Sequence, residues 1–351
     1  MILYIGFNLS QKRSWLLIGA VLAPTIAISI GAYTMLSKVG APMGPHSLCI
    51  PPKLPTTLCF SLADTISSRE ATSIAISPDG QTLASSYRQT IQLWNLGTGK
   101  PLAILAGHSD WVSALAFSPQ GETLASSSLD QTIRLWNLST GKLLQTLDAG
   151  RMTTLAFSPD GQILAGGNRN YLWFDSQPGK SGVQLWDLKT GKQLHPLGSG
   201  QIASLAFSPN GQILAIGSSD TQLWHLKTRK LLNTLNSGQV TNLAFSPDGQ
   251  TLVSGSSKLK VWHVSTGKFI YKINSGSSDL ALSPDGQTLA VSSGGTINIW
   301  RLETGKFLGT FRASGYSNLF VEFGLDSHTL ISSSSDGIKV WRPQSRGSAG
   351  G

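Results

Sequence analysis

The stretch LAFSPQGETLASSSLDQTIRLWNLSTGKLLQTL, residues 115–147, decides the fold of this chain. Its first apolar run leads into Ser-Pro-Gln-Gly, where proline presets φ for a turn and glycine accepts positive φ. The runs 123–128, 132–138 and 143–147 follow, and the first of them alternates with the period of a strand. Between the last two, Ser-Thr-Gly-Lys (139–142) predicts a hairpin loop with its glycine in the left-handed region. The stretch therefore predicts four consecutive antiparallel strands.

This unit occurs seven times along the chain. A tryptophan follows each Ser-Pro-Asp-Gly-like turn after 13 to 15 residues, except in the third unit. One four-stranded unit cannot bury both its faces, whereas units packed around an axis can. The turn phrases occupy residues 74–80, 115–121, 155–161, 205–211, 243–249 and 280–286, with a worn copy at 321–327, and the tryptophans are Trp94, Trp136, Trp186, Trp224, Trp262, Trp300 and Trp341.

The repeated pattern resembles the WD40 family over residues 58–342. The resemblance implies an all-β fold, a seven-bladed WD40 β-propeller, with circular closure of the ring. The seventh unit ends at Trp341 and runs into PQSRGSAGG (343–351), which we expect to be a flexible tail that supplies no outer strand. We therefore predict that the segment 58–63 (LCFSLA) completes the last blade.

The repeats depart from the family pattern in places. Only Trp186-Asp187 is a literal Trp-Asp pair, and Gly-His occurs once, as Gly107-His108. In the family a His, a Ser or Thr, an Asp and the Trp form a hydrogen-bonded set inside each blade. The resemblance assigns such a set to the second blade alone, with partial survivors in the fourth and seventh. The residues are His108, Ser126 or Ser128, Asp130 and Trp136, and the partial survivors are Asp220 and Asp336.

The N-terminal region has the composition of a membrane anchor. Residues 14–36 contain no charged side chain over 23 positions, enough for a helix that spans a bilayer. Lys12 and Arg13 precede this run, and the positive-inside rule predicts a cytoplasmic tail (1–13) with the propeller on the far side of the membrane. A proline-rich linker (37–57) follows. The alternative is a cleaved signal peptide and a secreted protein, although the apolar run is longer than most signals.

Charge and motifs limit the function classes. The net charge is +9, but residues 1–60 hold four basic residues and no acid, so the rest carries 23 basic and 18 acidic residues. We find no Arg-rich run or RNA-binding motif, no nucleophile elbow, Walker A loop or zinc-protease motif, and no metal spacing. We predict no nucleic-acid partner, no cofactor, no metal and no small-molecule substrate. Cys49 and Cys59 could pair in an oxidising compartment.

The third unit carries an insertion that breaks the repeat. It needs 25 residues from Gly161 to Trp186, and the extra stretch GNRNYLWFDSQPGKSG (167–182) carries three large aromatic residues. We predict that it emerges opposite the Ser-Pro-Asp-Gly turns and that residues 168–180 form the main partner-binding surface, because binding residues concentrate on loops of rigid scaffolds. The alternative is that its aromatic residues cap their own blade and that Trp111 packs against the ring. The predicted partner-binding residues are Tyr171, Trp173, Phe174, Arg88, Trp111, Arg151 and Tyr316.

These observations favour a membrane-tethered protein–protein interaction scaffold without catalytic activity, whose protein partner is unknown. One alternative is an envelope assembly or sensor component that docks on other envelope proteins. The other is a propeller enzyme that uses residues around a central channel. We expect no His, Glu and Asp to converge on the innermost strands, which argues against the enzyme.

Overall fold

The computed structural model describes residues 47–50, 58–67, 71–169, 182–313 and 320–343, all within a compact unit that spans residues 43–351. This part of the chain contains 29 β-strands and no helix. Among the described residues, none belongs to a helix that could cross a membrane. The segment 14–36 and the tail 1–13 lie outside the described residues, so their predicted roles stay predictions.

Two strands precede the repeats, and each of the first repeats then forms four strands. The first two are β1 (Ser47–Ile50) and β2 (Leu58–Ser67). Blade 1 contains β3 (Ile74–Ile76), β4 (Thr82–Tyr87), β5 (Thr90–Asn95) and β6 (Pro101–Ala106). Blade 2 contains β7 (Val112–Phe117), β8 (Thr123–Ser128), β9 (Thr132–Asn137) and β10 (Leu143–Asp148). Blade 3 contains β11 (Thr154–Phe157), β12 (Ile163–Gly167), β13 (Val183–Asp187) and β14 (Lys192–Leu197).

The remaining blades follow the same plan. Blade 4 contains β15 (Ser204–Phe207), β16 (Ile213–Gly217), β17 (Thr221–His225) and β18 (Lys230–Leu235). Blade 5 contains β19 (Asn242–Phe245), β20 (Thr251–Gly255), β21 (Leu259–His263) and β22 (Phe269–Ile273). Blade 6 contains β23 (Asp279–Leu282), β24 (Thr288–Ser293), β25 (Thr296–Arg301) and β26 (Lys306–Arg312). Blade 7 receives β27 (Phe320–Phe323), β28 (Leu330–Ser334) and β29 (Gly337–Pro343) from its own repeat.

The blades form a closed ring. Within blades 1 to 6, four consecutive strands pair antiparallel in chain order, and the first strand of each blade contacts the first strand of the next, including blade 7 against blade 1. The first strands are therefore innermost. The turns that follow them have the predicted conformation, with Gly121 at φ +75° and Gly141, in the hairpin after the third strand, at φ +67°. Seven blades around one axis confirm the architecture predicted from the repeats.

Blade 7 is completed by the strand that precedes blade 1. Strand β2 pairs antiparallel with β29, and Leu62 lies opposite Trp341. The order of this sheet is β1-β2-β29-β28-β27. The predicted closure by residues 58–63 is thus confirmed, and the ring is held shut by strands from the two ends of the repeat array.

Four residues of the predicted proline-rich linker form a strand. Residues 47–50, which we assigned to the linker 37–57, form β1, a fifth strand on the outer edge of blade 7. These four residues stand between prolines and contain none, so they can pair along one side as an edge strand. Their backbone register places Cys49 directly opposite Cys59.

The apolar core lies between neighbouring blades. Trp186 of blade 3, for example, packs with Ile133 and Leu147 of blade 2 in one cluster of buried side chains. Seven such clusters occur in the described part of the chain. Each fully buried side chain of this size contributes about 1.5–3 kcal/mol, so the stability of a blade depends on its neighbours.

Candidate functional site

Blade 2 contains a chain of hydrogen bonds that runs from its tryptophan to a carboxylate. The Trp136 Nε1–H donates to Ser126 Oγ at 2.8 Å, and Ser126 Oγ lies 2.8 Å from His108 Nε2. His108 Nδ1 lies 2.8 Å from Asp130 Oδ2. Burial lowers the pKa of His108, so the ring is neutral at pH 7, and the geometry assigns its proton to Nδ1. Each group donates to the next, and the chain ends on the carboxylate.

Of the two serines left open by the sequence, Ser126 belongs to this chain. Ser128 instead donates to the Asp110 carbonyl and accepts from the Asp130 N–H, both at 3.0 Å. Burial raises the pKa of Asp130, but hydrogen bonds from Thr132, His108 and backbone N–H groups outweigh that effect and hold the pKa at about 2. These side chains satisfy one another inside the blade, so the arrangement braces blade 2.

The other blade tryptophans depend on one position in the second strand. In blades 1, 5 and 7 that position is serine, and the tryptophan Nε1–H donates to it at 2.8, 2.9 and 2.8 Å; the pairs are Trp94 with Ser85, Trp262 with Ser254 and Trp341 with Ser332. Trp224 of blade 4 donates instead to Gln222 in its own strand. In blade 6 the position is Val291, and Trp300 Nε1 is buried without a partner among the described residues.

Blade 3, and the blades that contain Asp220 and Asp336, lack the hydrogen-bonded set of blade 2. Gly166 occupies the serine position of blade 3, and a Cβ there would lie 3.1 Å from the Trp186 ring. Asp220 accepts from the Gly238 N–H at 3.2 Å, and Asp336 lies 3.6 Å from Lys339 Nζ. These two carboxylates support loops, and the complete hydrogen-bonded set occurs in blade 2 alone among the described blades.

The turns between second and third strands share one face with the connections between blades, and we call it the loop face. It lies opposite the Ser-Pro-Asp-Gly turns because the strands of a blade alternate in direction. Arg88 and Trp111 are neighbours on this face, since the Val112 N–H donates to the Arg88 carbonyl at 2.7 Å. Trp111 is 50% exposed, so it is not packed into the ring. The Arg88 guanidinium lies 5.7 Å from the Tyr87 ring centroid.

A cleft of about 440 Å³ opens on the same face between blades 3, 4 and 5. Arg169, at the start of the insertion, lines it together with Gln201 and Gln239. Arg151 lies on the same face in the connection between blades 2 and 3. The other residues predicted to bind a partner, Tyr171, Trp173, Phe174 and Tyr316, lie outside the described residues.

Gln201 and Gln239 were not predicted from the sequence, although a pattern marks them. Four of the blade connections end with a buried apolar residue that follows a more exposed one; the pairs are Trp111-Val112, Arg151-Met152, Gln201-Ile202 and Gln239-Val240. The apolar members are at most 1% exposed. The more exposed members of these pairs form one series around the loop face, and only two were singled out.

Two carboxyl groups lie on neighbouring innermost strands, contrary to the expectation that no acids converge there. Asp279 begins β23 of blade 6, and Glu322 lies in β27 of blade 7. Burial raises the pKa of Asp279 to about 7. Burial, and then the charge of Asp279, raise the pKa of Glu322 to about 8. The expectation was wrong because the worn copy VEFGLDS (321–327) has Glu322 at the position where the six other phrases have alanine.

These acids do not make a metal centre by themselves. No group of three or more His, Cys, Asp or Glu side chains that could hold a metal ion occurs in the part of the chain that the structure describes. The two carboxyls are instead bonded to backbone and amide groups of neighbouring blades.

Comparison with known proteins identifies the repeats. The family model described as WD domain, G-beta repeat matches residues 61–95, 99–137 and 267–301. Each match runs from the outermost strand of one blade into the third strand of the next, and the first starts inside β2, the strand that closes the ring. A second model, described as Eukaryotic translation initiation factor eIF2A, matches residues 177–279.

Curated proteins match over short stretches. An uncharacterized WD repeat-containing protein of Synechocystis is 38% identical over 97 residues, which cover 26% of this chain and 28% of that protein. Small ribosomal subunit protein RACK1y of Oryza sativa is 34% identical over 85 residues, 24% of this chain and 25% of that protein. The nuclear distribution protein PAC1 of Coprinopsis cinerea is 50% identical over 44 residues, 12% of this chain and 10% of that protein. The matched stretches thus span about a quarter or less of these relatives.

Three stretches of the repeat array match the WD domain model, and the strands form seven sheets around the ring, the last of them completed by a strand from before the first unit. The chain therefore contains WD40 repeats and forms a seven-bladed β-propeller.

Proposed function

We propose that this chain is a non-catalytic protein–protein interaction scaffold that presents its loop face to a protein partner. WD40 propellers are typically protein-interaction scaffolds. The observation that carries the proposal here is the half-exposed Trp111 beside Arg88 on the loop face. Tryptophan and arginine are enriched among the residues that dominate binding energy.

Affinity capture with matched variants tests this proposal. The full chain is purified from detergent-solubilised membranes, and its co-purifying proteins are compared with those of a Trp111→Ala/Arg88→Ala variant. Leu325→Ala is the control, because Leu325 is 55% exposed on the opposite face. We expect the double variant to lose a partner that the wild type and the control retain. The same partner in all three samples would contradict a binding site at Trp111 and Arg88.

We further propose that the chain is tethered to a membrane by residues 14–36, with the propeller on the extracytoplasmic side. The support is the uncharged run of 23 residues and the Lys12-Arg13 pair before it. Extraction with alkaline carbonate and protease protection of sealed vesicles test both parts. Retention in the pellet and protection of the propeller from cytoplasmic-side protease are expected. Release by carbonate would refute the tether, and cleavage from the cytoplasmic side would refute the orientation.

The same capture experiment addresses the assembly alternative. An envelope assembly or sensor component would retain other envelope proteins in stable amounts. A general scaffold would retain partners that are not envelope proteins. The present support for this alternative is the predicted anchor alone.

Catalysis has a specific pair of groups to test, because Asp279 and Glu322 converge near the axis of the ring. A screen for hydrolase and oxidoreductase activity on the wild type and on Glu322→Gln separates the two functions. Under the scaffold proposal neither protein shows turnover. Turnover by the wild type that Glu322→Gln abolishes would replace the scaffold with an enzyme.

A further inference from the structure

A repeated hydrogen bond joins the innermost strands of neighbouring blades. At two junctions a serine that precedes an innermost strand or begins it accepts a hydrogen bond from the backbone of the next blade. The Leu115 N–H donates to Ser73 Oγ at 3.2 Å, and the Leu243 N–H donates to Ser204 Oγ at 3.0 Å. The serines are neutral, so these contacts hold at any pH at which the protein is folded.

At the junction of blades 6 and 7 an acid takes the place of the serine. The Val321 N–H donates to Asp279 Oδ2 at 3.0 Å, in the same geometry as the serine contacts. The other oxygen, Oδ1, accepts from Asn242 Nδ2 of blade 5 at 2.8 Å. Asp279 therefore joins three successive blades through one carboxyl group.

Glu322 extends this contact to blade 1. It stands where the other six repeats have alanine, and its carboxyl accepts from the backbone N–H of Ile76 in β3. The two acids together span blades 5, 6, 7 and 1, across the blade that β2 closes. A pair of acidic residues thus lies at the two junctions that flank blade 7, the blade that is closed by strands from distant parts of the chain.

No cation from the surrounding strands offsets this pair. The strands that pair with or pack against β23 and β27 are β3, β19, β24 and β28, and none of them contains Lys, Arg or His or a further acid. Two carboxyl groups in such a setting cannot both ionise without a cost in free energy, because the two carboxylates repel each other.

We propose that Asp279 and Glu322 form a proton-dependent clasp of the closing blade, which holds blades 6, 7 and 1 together while the pair keeps at least one proton and loosens that junction when both groups ionise. The clasp is independent of the membrane tether and of any partner.

The direction of the pH effect follows from proton binding in the two states. In the unfolded chain these carboxyls lose their protons at the ordinary pKa of Asp and Glu, near 4. In the folded chain burial raises their pKa values to about 7 and about 8, so the folded state binds more protons between these limits. Their contribution to stability is complete below about pH 4, falls as the pH rises toward 8 and is constant above that range.

Thermal unfolding of the full chain in detergent between pH 6 and 9.5 tests the clasp. Glu322→Gln keeps the shape of the protonated acid and removes the charge, and Glu303→Gln, in an exposed hairpin turn, is the control. We expect the melting temperature of the wild type to fall relative to Glu322→Gln by several degrees as the pH rises, while the control follows the wild type. A difference between wild type and Glu322→Gln that stays constant with pH would overturn the proposal.

Hydrogen exchange of single amides in the wild type locates the effect and needs no variant. After correction for intrinsic exchange, the protection of Val321 and Ile76 should fall by about tenfold between pH 6.5 and 8.5, the factor that one pKa unit represents. The Leu115 and Leu243 amides, bonded to serines, should keep theirs. Equal behaviour of the four amides would also overturn the proposal.

Discussion

At the scale of the residue, one hydroxyl group in the hydrogen-bonded set of blade 2 bonds to two neighbouring side chains. Ser126 accepts from Trp136 and bonds to His108, and it is fully buried. In blade 1 the equivalent Ser85 accepts from Trp94, and its hydroxyl has no second side-chain partner among the residues that the structure describes. The two serines therefore differ in how many buried polar groups they satisfy.

We predict that Ser126→Ala costs more stability than Ser85→Ala. Each buried donor or acceptor left unsatisfied costs about 1–3 kcal/mol, so the expected losses are about 2–6 kcal/mol for Ser126→Ala and about 1–3 kcal/mol for Ser85→Ala, with the loss for Ser126→Ala about twice the other. Chemical denaturation monitored by tryptophan fluorescence measures both. Equal losses would show that His108 draws no stability from Ser126.

A second residue-scale prediction concerns the hairpin turn of blade 4. Arg229 has φ +55°, where the matching turns of blades 1, 2, 3, 5 and 6 have glycine, for example Gly141 at φ +67°. A non-glycine residue in the left-handed region lowers the free energy of unfolding by roughly 1–2 kcal/mol through backbone strain. Glycine lowers it by about 0.5–1 kcal/mol, because it makes the unfolded chain more flexible. Arg229→Gly should therefore raise stability by roughly 0.5–1 kcal/mol, as measured by denaturation, and Gly141→Arg should lower it. A loss of stability in Arg229→Gly would contradict the argument from strain.

At the scale of the element, the closing strand is the decisive one. Strand β2 covers β29, and its Ile66 is buried with Ile338 and Val340 in one cluster. Truncation that removes everything before residue 68 exposes this cluster. Since 1 kcal/mol shifts the melting temperature by about 2–4 °C in a large domain, we expect a fall of about 10 °C or more. Truncation before residue 47 is the control, because it spares β1 and β2, and an identical melting curve for both truncations would refute the role of β2.

The register of β1 with β2 sharpens the prediction for the two cysteines. Residues directly opposite in an antiparallel pair have Cα atoms about 4.5–5.5 Å apart, which falls within the range of disulfides. If the propeller lies in an oxidising compartment, we expect a Cys49–Cys59 bond. Peptide mapping by mass spectrometry under non-reducing conditions decides this, and two free thiols in protein from its native compartment would end the idea.

At the scale of the whole molecule, the ring could be predicted from the sequence because its information is local and repeated. Seven copies of the Ser-Pro-Asp-Gly-like phrase predict seven turns, and five Thr-Gly-Lys sequences predict the hairpins of their units, so the repeats predict seven blades. The closing strand could be placed because the last repeat lacks an outer strand of its own. Strand β1 could not, because four residues between prolines carry no strand periodicity.

The candidate sites were harder to predict than the ring, because they are formed by residues that differ from the repeated pattern. Glu322 is one residue in the least regular copy, and its proximity to Asp279 arises only when β23 and β27 become neighbours across a junction. Similarly, the cleft beside Arg169 exists because connections that are separated by tens of residues converge on the loop face. Contacts between blades are set by the closure of the ring, which no single repeat encodes.

We propose that a protein partner binds to the loop face of the propeller, and site-directed photo-crosslinking in intact membranes tests this most directly. A photoreactive amino acid replaces Trp111 on the loop face or Leu325 on the opposite face; the two positions are 50% and 55% exposed. We predict a discrete crosslinked product from position 111 that is absent from position 325. A product from position 325 alone, or the same product from both positions, would contradict the claim.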